Sequence, residues 1–170
     1  MTPTPSADQI TSTAQRTVLS LDHVSRSFGE GEQRVDAITD VSLGVNPGTF
    51  AAVMGPSGSG KSTLLGLAGG LDQPTSGTVS VCGEPLGGMS RDDLARVRRR
   101  QLGFVFQDYN LVPTLTAVEN VSLPLELDGV SATRARKAAE AALDRVGVPE
   151  LIDRHIEKMS GGQRQRVAIA

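Results

Sequence analysis

The first part of the chain alternates. In "VLSLDHVS" (18–25) and "DVSLGV" (40–45) apolar and polar residues take turns, the period of half-buried antiparallel strands. Between them "GEGEQRV" (29–35) reads as a turn leading into another short strand. "GTVSVCG" (77–83), bounded by glycines, predicts a further strand. Two stretches break the alternation. "TFAAVM" (49–54) and "LGFVF" (102–106) are apolar on both faces, which predicts strands buried inside a parallel sheet.

The period then becomes helical. Residues 131–146 place Ala135, Ala138, Ala139, Ala142, Leu143 and Val146 at three- and four-residue spacing, a single apolar stripe. Gly147 and Pro149 supply the stop. "SRDDLARVRRRQ" (90–101) opens on Ser90 with Asp93 three residues later, and "TAVENVSLPLEL" (116–127) has Thr116 and Glu119 in capping-box spacing. Pro124 is expected to bend or end that second helix. The pattern predicts an α/β domain: a small antiparallel sheet, a buried strand feeding a helix, and a helical subdomain inserted after residue 107.

Composition narrows the classes. At 170 residues the chain has room for one domain with a real core. A formal charge of −2 gives no basic surplus for general nucleic-acid binding, and "ARVRRRQ", without interleaved aromatics, reads as a solvated helix face. No apolar run approaches the ~20 residues of a membrane span. The polar start has no apolar signal-peptide core, and residues 1–16 are expected to form a disordered tail. One cysteine, Cys82, excludes an internal disulfide and suits a reducing compartment. His23 and His155 stand far apart with no ligand cluster, so no structural metal site is expected.

The chemistry starts at "GPSGSGKST", residues 55–63. It fits G-x-x-x-x-G-K-[ST] through Gly55, Gly60, Lys61 and Ser62, directly after an apolar stretch and at the entrance of a predicted helix. Glycines, Gly58 among them, let successive N–H groups turn toward one phosphate chain, with Ser57 inside the same loop. The helix starting near Lys61 adds unsatisfied donors and a partial positive charge. Lys61 is expected to reach the β- and γ-phosphates, Ser62 to complete Mg²⁺ coordination and Thr63 to hydrogen-bond nearby. A nucleoside triphosphate is the expected ligand.

"MSGGQRQRVAIA" (159–170) separates the classes that share such a loop. With it the sequence resembles the ATP-binding cassette (ABC) family, whose signature is [LM]-S-G-G-Q before a basic helix. Ser160, Gly161, Gly162 and Gln163 match, with Met159 where leucine is more usual. Ser160 can cap the helix while the glycines expose N–H groups at its positive end. The resemblance covers residues 17–170 and implies a P-loop NTPase fold of the ABC type, with an N-terminal antiparallel β-subdomain and a helical subdomain after the Q-loop. It implies that the signature binds the γ-phosphate of an ATP held by a second, head-to-tail cassette. Gln107 matches the Q-loop glutamine, which contacts Mg²⁺ and the attacking water. Phe28 matches the aromatic position that stacks on adenine, where tyrosine is more usual.

"GEGEQRV" and "NLVPTLTAVENVSLPL" (110–125) are most similar to the lipoprotein-release, macrolide-export and cell-division branch. That implies a transmembrane permease partner docked near residues 108–130, no nucleic acid, and a place at the cytoplasmic face of the cell membrane. The family's magnesium aspartate, its catalytic glutamate and its switch histidine find no match within the 170 residues. A cassette cut off inside its signature helix is therefore expected, with negligible ATP hydrolysis by this chain alone. The alternative is a truncated, non-catalytic nucleotide-binding module. Soluble DNA-repair or translation ATPases would carry coiled-coil inserts or tandem cassettes, and a small-molecule kinase would leave the signature unexplained.

Overall fold

A computed structural model describes residues 17–170; the expected tail, residues 1–16, lies outside them. The chain divides into two compact units, one running to Ser90 and the other comprising Arg91–Ala170.

The first unit is built on four antiparallel strands, β1 (Leu19–Phe28), β2 (Val35–Val45), β3 (Ser76–Val81) and β4 (Glu84–Pro85), in the order β2-β1-β3-β4. The short strand expected after the turn and "DVSLGV" are one continuous strand, β2, entered through a single tight turn at Gly31–Gln33. Leu21 stands opposite Leu43 on one side and Val79 on the other. Leu21, Val24, Ile38, Val79 and Val81 are buried; Val79 and Val81 follow the alternation, while Val24, three residues after Leu21, reaches the same side through the register irregularity between them. Helix α1 (Lys61–Ala68) lies against β1, β2 and β3, with Leu67 fully buried.

The two strands predicted for residues 49–54 and 102–106 do not form. Phe50 is 95% exposed and Met54 87%, and Val105 and Phe106 are exposed as well. A central strand exists only through ladder partners that take up its N–H and C=O groups. Among the described residues, neither stretch has one. Side-chain pattern alone cannot supply that partner.

The second unit is helical: α2 (Arg91–Gln101), α3 (Ala117–Leu127), α4 (Ala132–Arg145) and α5 (Gly161–Ile169), with tight turns at Pro149–Leu151 and Ile156–Lys158. Its core joins Ala117, Val118, Ala139, Leu143, Val148, Leu151, Ile156, Met159 and Val167. The predicted stripe of α4 narrows to Ala135, Ala139 and Leu143, which are buried, while Ala138 is exposed. Burying Leu143 alone contributes about 2 kcal/mol.

Thr116 and Glu119 form the expected capping box on α3. Pro124 does not end this helix, which runs on to Leu127, and the Asp128 N–H donates to the Pro124 carbonyl at 3.2 Å. The proline forfeits only its own N–H bond, and Gly129, at φ 87°, makes the actual stop. Helix α2 joins this unit ahead of residue 107, because Arg99 and Arg100 pair with Asp128 at 3.6 and 3.0 Å. The Arg100 hydrogen bond holds the Asp128 carboxyl below its ordinary value.

Candidate functional site

Residues 55–60 form one loop, exposed up to Ser59, that runs straight into the first turn of α1 at residues 61–63. Gly60 makes the turn into the helix at φ 83°. A Cβ there would strike the Ala37 carbonyl oxygen and lie 2.9 Å from Ile38 Cδ1, so the loop rests directly on β2. Gly58 is also left-handed, at φ 79°. Only glycine adopts such a path without strain while sitting this close to another backbone.

Gly60 brings no side-chain acceptor to the first turn of α1, and the Leu64 N–H is the first to return to it, at 2.8 Å. The positive end of the helix dipole therefore faces outward without a capping side chain. Lys61 curls over the loop, donating from Nζ to the carbonyls of Gly55 at 2.9 Å and Pro56 at 2.6 Å, with Ser59 Oγ at 3.4 Å. Ser57 and Ser62 are exposed, and Thr63 is half-buried one position further into the helix. The arrangement sets backbone donors beside one ammonium group and the exposed hydroxyls of Ser57 and Ser62, which suits an extended anion carrying a divalent cation.

Phe28 ends β1 in the same unit, 43% exposed and paired with Val35 across the hairpin. Its ring carries the Arg26 guanidinium on one face, 4.5 Å from the centroid. The signal for this pairing in the sequence is the i, i+2 spacing of Arg26 and Phe28 on a strand.

Gln107 and the signature belong to the second unit. Gln107 is exposed on a turn, where the Tyr109 N–H donates to the Phe106 carbonyl at 3.1 Å. No sequence motif marks Tyr109, yet its hydroxyl would lie 3.9 Å from a Cβ placed on Gly161. Ser160 caps α5, accepting from the Gln163 N–H at 3.3 Å while the Ser160 N–H donates to Gln163 Oε1 at 2.9 Å. Met159 is buried in the core of this unit, which is why a large apolar residue leads the motif. Gly162 has open space where a Cβ would stand. Nothing in this chain's own packing requires a glycine there.

Among the described residues no helix is long and apolar enough to cross a membrane. The sequence profile of the family described as "ABC transporter" matches residues 38–170. The chain is similar to the macrolide export ATP-binding/permease protein MacB of Marinobacter nauticus, with 45% identity over 91% of this chain and 24% of that protein. It is 43% identical to the uncharacterized ABC transporter ATP-binding protein YbbA of Escherichia coli K12, over 90% of this chain and 67% of that one. In structure it resembles the ATP-binding cassette MJ0796, solved as a dimer in a post-hydrolysis state bound to ADP and Pi. The TM-score is 0.82 at 40% identity, over 89% of this chain and 67% of the other. The chain spans about a quarter of the MacB protein and two thirds of YbbA and MJ0796. Together with the phosphate-type loop at 55–63 and the Ser-Gly-Gly-Gln cap of α5, these matches establish that the chain belongs to the ATP-binding cassette family of ABC transporters.

Proposed function

We propose that residues 55–63 bind the triphosphate of ATP and that this chain serves as the ATP-binding subunit of a transporter. The observation that carries the reading is the uncapped entrance of α1 behind Gly60, with Lys61 folded across its loop. Lys61 has two loop-carbonyl contacts to exchange for phosphate oxygens, and the N–H groups of the first turn have no side chain competing for them. Bound Mg²⁺ would neutralise phosphate charge, with the Ser62 hydroxyl as its partner on this loop, and Gln107 is the residue that the family pattern assigns to the same ion. Phe28 offers the base a flat apolar surface.

The signature plays its part on another copy. Ser160, Gly161, Gly162 and Gln163 present a helix N-terminus with open space above Gly162, a surface that suits close approach by the γ-phosphate held in a second, head-to-tail cassette. The dimeric cassettes similar in structure support this pairing. The joint ATP-binding and permease character of MacB supports a transmembrane partner. Docking through residues 108–130 would place the chain at the cytoplasmic face of the membrane.

Equilibrium binding of a fluorescent ATP analogue with Mg²⁺ tests the reading. Lys61→Ala is expected to weaken binding more than tenfold, since a charge-assisted contact contributes about 1.5–3 kcal/mol. Unchanged affinity in a folded Lys61→Ala protein would overturn it. Hydrolysis by the 170-residue chain alone is expected to be negligible, and turnover abolished by Lys61→Ala would contradict that part.

A further inference from the structure

One face of the Phe28 ring is already taken. Residues 26 and 28 share a face of β1, as the period of a strand requires, and the Arg26 guanidinium lies 4.5 Å from the Phe28 centroid. The register of β1 against β2 slips on both sides of Arg26, between Val24 and Arg26 and again between Arg26 and Ser27. The extra residue lies on β2 each time, so β1 keeps its two-residue period from Arg26 to Phe28.

Arg26 is itself anchored. Its Nη2 meets Asp72 Oδ1 at 2.9 Å, with both side chains largely covered. Asp72 in turn donates its N–H to the Gly66 carbonyl of α1 at 3.3 Å. Arg26 Nε is buried without a hydrogen-bond acceptor. An orphaned donor of this kind is costly, and the electron-rich ring face supplies the attraction that an acceptor does not. A chain of contacts thus runs from the Phe28 ring through Arg26 and Asp72 to α1, whose other end carries the phosphate loop.

The geometry points to Arg26 as a positioning residue for base recognition: anchored by Asp72, it holds the Phe28 ring from behind and leaves the opposite face as a shelf for a purine. This rests on the ATP reading of residues 55–63 and Phe28. Two physical effects combine. A ring clamped on one side loses little freedom when a base stacks on the other. A cation behind the ring also draws electron density from its far face, which favours stacking of an electron-rich purine on a phenylalanine.

The test compares ATP with inorganic tripolyphosphate, both with Mg²⁺, on the intact chain. Arg26→Ala is expected to weaken ATP binding about two- to fivefold and leave tripolyphosphate binding unchanged. In a Phe28→Leu background, Arg26→Ala should produce no further loss of ATP affinity. Asp72→Asn, nearly isosteric, should shift ATP in the same direction and carries the comparison if Arg26→Ala does not fold. Equal losses for ATP and tripolyphosphate would show a charge or folding effect and overturn the proposal, as would unchanged ATP affinity in both variants. A parent chain that binds tripolyphosphate no more weakly than ATP overturns the base shelf alone. A parent chain that binds neither overturns the ATP reading and the base shelf with it.

Discussion

Helices α1 and α5 both begin behind small residues, yet their entrances are built in opposite ways. Gly60 stands before α1 in a left-handed conformation, pressed against the backbone of β2 and without an acceptor for the first turn. Ser160 stands before α5 in an extended conformation and closes a reciprocal box with Gln163. The first entrance leaves its leading N–H groups without a side-chain acceptor. The second is complete in itself, and its two glycines follow the cap rather than form it. Helix α3 shows the saturated limit: Thr116 and Glu119 box its entrance, and the N–H groups of Ala117 and Val118 donate to the Arg154 and Ile152 carbonyls at 2.9 and 3.0 Å. How many donors are left free, and whether glycine is needed for the chain's own packing, separates a ligand cradle from a self-sufficient helix start.

Four substitutions or conditions can break that contrast. Gly60→Ala should have the largest effect, destabilising the first unit by about 2–3 kcal/mol through left-handed strain and collision with the Ala37 carbonyl. Chemical denaturation checks it, and a neutral result would mean the loop does not depend on β2. Ser160→Ala should cost about 1 kcal/mol by removing one cap, read in the same way on the second unit. Gly162→Ala should do the reverse and stabilise by about 0.5 kcal/mol, because alanine finds open space and an ordinary helical φ there. Destabilisation would show a packing role for that glycine.

The smallest effect is one of pH. The Glu119 carboxyl is held below its ordinary value, first by the Thr116 backbone N–H and then by the Thr116 side chain. A carboxylate with a depressed folded pKa stabilises fully above its unfolded pKa and loses that contribution as pH falls through the folded value. The stability difference between the parent chain and Glu119→Gln should therefore be present at neutral pH and vanish in acid. The box on α5 uses the neutral Gln163, so the effect of Ser160→Ala should not follow that titration. Denaturation series at several pH values measure both.

Much of this protein is legible in its residues because the determinants are local. The alternation of β1 and β3, the stripe of α4 and the boxes at Thr116 and Ser160 depend on neighbours within a few positions. The loop at 55–63 is legible for the same reason, since nine consecutive residues make the cradle. Pro124 shows the edge of that rule: its penalty is local, but α3 continues because the packing of this unit offsets one lost hydrogen bond. The stretches at 49–54 and 102–106 show where the rule ends. Their apolar composition fits a buried strand, but a ladder is a property of two segments, and the described residues give neither a partner.

The sequence by itself determined the phosphate-type loop, the signature cap and the membership of the family, since each is written in contiguous residues. Only the tertiary structure decided that Gly60 is pinned against Ala37, that Tyr109 borders Gly161, and that Arg26 bridges Phe28 to Asp72. Those contacts join residues distant in the chain. Their energies depend on distance and on burial, and folding alone fixes both.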